Sequence, residues 1–402
     1  MSKLNTFITP VPRPGLIRFL GVINRYFILP RWCRITSVNL SSQDEAALRA
    51  EVASGVPMIF VPNHPEYFAD WMLDKWVLDR VAPKMANWAD AGVVNGLGKQ
   101  MQKLWLGNNL IAAVRGEDSA KAVEYSIDWA CKGNGVLLHP EGAVNWDNEV
   151  VGSLFPGAAR MAIEAARRHP GGKAYIAPLA WYLRFNKDNH ARLQAEVNDL
   201  GARLHIVLPT GNPAVAMLHI IKTLAERKAE WLGLPKLHPM KHKYDTRTRL
   251  LQVIELMGTT MAKNWNLSAA GSDTLQVIKQ LRATKEALAI VHANVLENLL
   301  KLDSLSLVGS ELTQEQLIHR LRRIRQDWVR GEKMDMVARM APRGLNSRSA
   351  YIAAAPRVEV LATDTPEEVT ERVRNAIIQA LASAKNQAHA AHGAPRTYPI
   401  NQ

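Results

Sequence analysis

The chain has 402 residues, 47% of them hydrophobic and 22% charged, with 50 Lys+Arg against 37 Asp+Glu for a formal charge of +13. That balance excludes a disordered chain, and a mean hydropathy of −0.14 argues against a multispan membrane protein. At about 150 residues per domain, the length allows two or three domains with real cores.

The N-terminal stretch is one-sided in charge. Residues 1–43 contain Lys3, Arg13, Arg18, Arg25, Arg31 and Arg34 but no acidic residue, interleaved with Ile17, Phe19, Leu20, Val22, Tyr26, Phe27 and Trp32. Residues 1–33 therefore read as a basic amphipathic segment suited to an anionic membrane surface. They suit equally a helix packed on its own domain, which also needs an apolar face. A bilayer span is not expected, because Arg18, Arg25 and Arg31 interrupt residues 15–32. Residues 204–221 lack Asp, Glu, Lys and Arg, yet Pro209, Gly211, Asn212 and Pro213 break them; they are a second, weaker candidate for touching a bilayer. No signal-peptide layout is read at the start.

From residue 34 to 183, short apolar runs alternate with amphipathic stretches. Strands are predicted at 34–38, 57–62 (PMIFVP), 109–114 (NLIAAV), 135–138 and 174–183, and helices at 44–53, 66–81, 119–131 and 157–168. Helices of 10–15 residues between strands imply crossovers, hence an α/β fold with a mixed, mostly parallel sheet flanked by helices. Beyond Asp188 the 3.6-residue period predicts helices at 191–206, 214–231, 246–265, 273–302 and 313–329. Thr365, Pro366 and Glu368 form an N-terminal capping signature for a last helix. The expected organisation is an α/β domain over 34–240, an α-helical C-terminal extension over 241–387 and a disordered tail over 388–402, with a Pro- and Lys-rich linker at 234–244.

Cys33 and Cys131 are the only cysteines and form no CxxC pair, so neither a disulfide scaffold nor a zinc ribbon is expected. His238 with His242, and His389 with His392, approach ligand spacing but lack flanking carboxylate ligands; no metal site is assigned. Gly92–Gln100 is Gly-rich, yet Gln100 stands where a phosphate loop needs Ser or Thr.

Chemistry is concentrated at strand ends. Asn63-His64-Pro65-Glu66 leads to Asp70 directly after the PMIFVP strand, Val114-Arg115-Gly116 follows NLIAAV, and His139-Pro140-Glu141-Gly142 follows a third strand. Open α/β sheets place ligands at such ends. A His there suits general-base work, since its ordinary pKa lies near neutrality, and a nearby carboxylate can orient it. Arg115 offers forked donors to a phosphate or carboxylate. Each element alone also reads as an ordinary hydrogen-bonded turn.

Taken together, the blocks resemble the glycerolipid acyltransferases, the family of lysophosphatidate and glycerol-3-phosphate acyltransferases. Asn63–Asp70 is similar to that family's Asn-His-X4-Asp block, Leu110–Arg115 to its second block, His139–Gly142 to Phe-Pro-Glu-Gly, and Ile176-Ala177-Pro178-Leu179 to its fourth. The resemblance runs over residues 34–185. It implies acyl transfer from an acyl thioester, acyl-CoA or acyl-carrier protein, to a hydroxyl of a lysophospholipid-type acceptor such as 1-acyl-glycerol-3-phosphate. Glycerol-3-phosphate and non-phosphate acceptors are the alternatives. His64 would be the base and Asp70 its orienting carboxylate. Asn63, Arg115, Glu141 and Gly142 would serve substrate binding, with an oxyanion-stabilising amide near Gly142, and no metal or cofactor is needed. The expected location is cytoplasmic, peripheral on the cytoplasmic face of a membrane.

Two departures stand out. Five residues, not four, separate His64 from Asp70, and in a regular helix one extra residue turns a side chain by about 100°. Either a local bulge restores the contact, or Glu66 substitutes as the orienting carboxylate, or the pair is broken. Second, Ala143 and Val144 stand where Thr-Arg usually follows Glu-Gly. The rival readings are a catalytically degenerate lipid-binding protein and a nucleic-acid-binding protein. The latter uses the run from His319 through Arg320, Arg322, Arg323 and Arg325 to Arg330, otherwise expected to be a solvated basic face.

Overall fold

Apolar runs bounded by breakers become the strands of the first unit, numbered here in chain order. They are β1 (Ile35–Leu40), β2 (Met58–Pro62), β3 (Ala86–Asp90), β4 (Leu110–Ala113), β5 (Val136–Leu137), β6 (Lys173–Phe185), β8 (Arg348–Ala354) and β9 (Val358–Leu361), while β7 (Glu311–Thr313) and β10 (Thr397–Pro399) lie in the second. The computed structural model describes residues 6–114, 117–234, 246–268, 273–302, 310–329 and 345–400. Unit 1 comprises Met1–Lys187 and Val337–Ala394, and unit 2 Asp188–Met336 and Pro395–Gln402.

In unit 1 the described strands form one sheet in the order β1-β8-β6-β2-β5-β3-β4, with β9 alongside β6. All pairings are parallel except those of β6 with β8 and β9, so the sheet is mixed and mostly parallel, as expected. Residues of β2 alternate between two layers: Ile59 and Val61 pack with Ala180 and Tyr182 under α7 (Gly157–Arg168) and α14 (Pro366–His392). Met58 and Phe60 pack with Leu179 and Trp181 under α3 (Ala69–Val81). A strand covered on both faces has to be apolar throughout, which is why PMIFVP carries no alternation. The same unit holds α1 (Pro14–Ile23), continued by a π-helical segment (Asn24–Trp32), then α2 (Ser42–Ala53), α4 (Ala91–Gly96), α5 (Lys99–Gly107) and α6 (Glu117–Cys131).

Unit 2 is helical: α8 (His190–Arg203), α9 (Pro213–Trp231), α10 (Thr246–Asn264), α11 (Thr274–Ala283), α12 (Ala287–Leu302) and α13 (Gln314–Trp328), with the β7–β10 pair. Its caps follow from the sequence. The Asn212 side chain accepts from Ala214 N–H before Pro213 opens α9, and Thr313 and Gln316 close a reciprocal capping box on α13. The single helix expected over 273–302 is two, broken at Thr284 and at Lys285, whose φ is +60°. The Thr284 hydroxyl donates back to Leu281 O and accepts from Glu286 N–H, the local competition that ends a helix.

Three other expectations are corrected. Residues 241–387 are not one helical domain, because β8 and β9 join the first sheet and α14 packs on it through Val369, Val373 and Ile377. The run Ser349–Ala353 is buried along its length, and short apolar runs carry no readable period. Residues 388–402 are not a free tail among those described. Helix α14 runs to His392, whose ring meets Tyr351, and His389 meets Tyr182. Strand β10 then pairs with β7 and buries Tyr398 and Ile400. Finally, the basic run on α13 is not a solvated face: His319, Arg320 and Arg322 are buried, and Arg325 pairs with Glu196 and Asp199. His238, His242 and the expected linker beyond Leu234 lie outside the described residues. Among the described residues, no helix is long and apolar enough to cross a membrane.

Candidate active site

Strands β2 and β5 are parallel neighbours, so His64, two residues past β2, and His139, two past β5, emerge side by side at their carboxyl ends. The extra residue between His64 and Asp70 is taken up before the helix. Residues 65–68 form a turn and α3 starts only at Ala69, so the helical geometry that would swing Asp70 away never applies. Asp70, fully buried in the first turn of α3, reaches back to His64 Nδ1 at 2.9 Å. The same Oδ2 accepts the Glu66 N–H at 2.8 Å. A helix N-terminus favours a carboxylate there.

The His64 side chain keeps 18% of its surface, and with Nδ1 committed to Asp70 its Nε2 has no partner among the described residues. Burial, then the charge of nearby His139, lower the His64 pKa well below the ordinary 6.5. Burial raises the Asp70 carboxyl well above its ordinary value; the Glu66 N–H opposes this, and the charges of Glu66, Asp74 and Glu141 add to it. The arrangement fixes the His64 ring through Nδ1 and leaves one ring nitrogen open, the geometry that general-base chemistry requires.

Asn63, expected at the substrate, faces the sheet instead. Its Nδ2 donates to Trp181 O at 3.2 Å and its Oδ1 accepts from Trp181 N–H at 2.7 Å, extending the ladder of β6 beyond the end of β2. Asn148 repeats this two-bond closure on Leu183. Glu66 does not substitute for Asp70. Its carboxylate is buried against Arg348 of β8, which also donates to Cys33 O.

Glu141 is filled from within. Oε1 accepts the His64 N–H at 2.7 Å, and Oε2 accepts from Asn145 Nδ2 at 2.7 Å and Gly152 N–H at 2.8 Å. Burial raises its pKa while these donors work against the rise. It positions His64 and the 142–152 loop, and its oxygens are not held in reserve for a headgroup. Gly142 has φ +67°, and a Cβ there would stand 2.8 Å from the exposed Phe155 ring. Its N–H donates to His139 O, so the expected oxyanion donor is already engaged. Arg115 lies outside the described residues. Asp74, Asn145, Asn148, Gly152 and Arg348 were not singled out from sequence. Only Asp74 left a signal, standing four residues after Asp70 on a predicted helix.

Residues 42–182 match the acyltransferase family model, and they contain His64, His139, Asp70, Asp74 and Glu141. This segment is an acyltransferase domain of the glycerolipid acyltransferase family. No curated protein matches the chain. The match starts with α2 and ends within β6, so the acyltransferase domain as matched omits β1, β8, β9 and α14, all of which complete its sheet or cover it here. The activity carried by this family is acyl transfer to a glycerolipid. Among the described residues of the acyltransferase domain, no group of three or more His, Cys, Asp or Glu is arranged to hold a metal.

Proposed function

We propose that this protein transfers a fatty acyl group from an acyl thioester, acyl-CoA or acyl-carrier protein, to the free hydroxyl of 1-acyl-glycerol-3-phosphate, with His64 as general base. The observation that carries the reading is the 2.9 Å His64–Asp70 bond, which leaves a partly exposed Nε2 without a partner. Nε2 takes the hydroxyl proton as the oxygen bonds to the thioester carbonyl carbon. Asp70 holds the Nδ1–H and balances the imidazolium. The tetrahedral intermediate collapses by breaking the C–S bond, and the imidazolium returns the proton to the departing thiolate. A positioned base of this kind contributes about 10²–10⁴-fold.

A second acceptor class is favoured by one observation: Ala143 and Val144 follow Glu141-Gly142, so a phosphate-binding Arg is missing from that loop. A hydroxyl acceptor without a phosphate is then the alternative. A thiol-release assay with acyl-CoA and acyl-carrier-protein thioesters and a panel of acceptors decides among them. His64→Ala should abolish release while the circular dichroism spectrum stays unchanged. Turnover surviving that substitution removes His64 as the base, and release only with unphosphorylated acceptors removes the phosphate assignment.

Attachment to the cytoplasmic face of a membrane is part of the same proposal. Phe19, Val22, Tyr26, Phe27 and Trp32 are exposed on α1 and the π-helical segment, beside exposed Arg18, Arg25 and Arg31. Interfacial aromatics among cations suit anionic lipid.

A further inference from the structure

His139 lies against His64 with ring centroids 4.1 Å apart and planes 20° from parallel. It has no bond to His64. Its Nδ1 meets Asn63 O at 2.9 Å and its Nε2 meets Asp74 Oδ2 at 3.0 Å. A backbone carbonyl can only accept, so Nδ1 carries a hydrogen; an ionised carboxylate can only accept, so Nε2 carries one too. The ring that satisfies both partners is an imidazolium. We propose that His139 and Asp74 form a second, charged His–Asp pair that holds a positive charge against the face of His64 and so keeps His64 unprotonated. The proposal rests on His64 being the base of the reaction above.

One element supplies both pairs. Asp70 and Asp74 are four residues apart on α3, hence on one face, and each takes one of the two stacked rings. The titratable groups around the stack are these two carboxylates, Glu66 after β2 (paired with Arg348 of β8) and Glu141 after β5. For His139, burial works toward a lower pKa, but the charge and hydrogen bond of Asp74, the Asn63 carbonyl and the charge of Glu141 overcome it, and the net direction is up. For His64 the direction is down, from burial first and His139 second. A positive charge whose ring centroid lies 4.1 Å from that of His64 opposes a second positive charge on His64. His139 and Asp74 are thus positioning residues, acting on substrate only through His64.

The test is a titration of the full chain labelled with ¹³C at histidine Cε1, with the His64 and His139 resonances assigned from single substitutions. In the wild type His139 should be protonated at pH 7 while His64 is neutral. In Asp74→Asn, the amide can donate to Nε2, His139 becomes neutral with its ring in place, and the His64 pKa should rise by about one unit. The acid limb of kcat/KM should move up with it, so that activity lost in mildly acidic solution returns at higher pH. His139→Phe, which keeps a flat ring without charge, should move the His64 pKa the same way. A His139 that is neutral at pH 7 in the wild type overturns the proposal, even if neither variant folds. So does a His64 pKa unmoved in Asp74→Asn. The titration needs no substrate. If His64→Ala kept its turnover, the catalytic reading would fall while the charged pair could still be observed.

Discussion

His64 is held at three points before any substrate arrives: its N–H by Glu141, its carbonyl by Asn145 N–H and its Nδ1 by Asp70. The ring is therefore oriented by the chain, and only Nε2 remains for chemistry. Asp70→Asn should lower kcat by about 10²–10⁴, because an amide can hold the opposite tautomer and cannot balance the imidazolium; single-turnover acylation measures this. Because burial and His139 lower the His64 pKa, the wild-type enzyme should hold its kcat/KM below pH 6.5 and lose it only as protonation fills Nε2 at more acidic pH. An acid limb at or above 6.5 in the pH profile would contradict that direction.

At the scale of elements, α3 and the loops after β2 and β5 are tied to segments far away in sequence. Arg348 of β8 and Glu66 form a buried pair, with side chains 2% and 1% exposed. Removing one partner leaves an uncompensated buried charge, so Arg348→Met should destabilise unit 1 by about 3–5 kcal/mol in urea unfolding. Glu66→Gln/Arg348→Met together should cost less than either change alone. The N-terminal arm offers a different experiment. Ile17 and Leu29 are buried and anchor it, whereas Phe19, Tyr26 and Phe27 point to solvent. Changing those three to Ser should weaken sedimentation with anionic vesicles and leave thermal unfolding nearly unchanged; unaltered vesicle binding would discard the arm as an anchor.

Over the whole molecule, unit 1 is closed by chain that returns after unit 2. Strand β8 lies between β1 and β6, and α14 covers one face of the sheet. A chain stopped after residue 336 loses β8, β9 and α14 together. β1 then has no neighbour, and the Ile59–Tyr182 layer keeps α7 but loses the cover of α14. The truncated protein should be insoluble or lack a cooperative thermal transition, although it retains the whole 42–182 match. A truncated form that melts cooperatively would assign those elements a lesser part.

Residues close in sequence announced themselves. PMIFVP had to be a strand covered on both faces, Thr365-Pro366 had to open a helix, and the blocks holding His64, Asp70, Glu141 and Gly142 stood in the order of the glycerolipid acyltransferases, a resemblance that implied acyl transfer. Those readings depend on local pattern, and local pattern is written in the chain. The partners of the side chains were decided elsewhere. Which carboxylate meets His64 depended on where α3 begins, and Asn63 and Glu66 turned inward because β6 and β8 arrived with a backbone edge and an Arg to satisfy. His139 came to lie on His64 because β5 pairs with β2. The His64–Asp70 pair hangs on where one helix starts, and the others are contacts across tens to hundreds of residues, set by strand order and burial, which a linear reading of residue types does not contain.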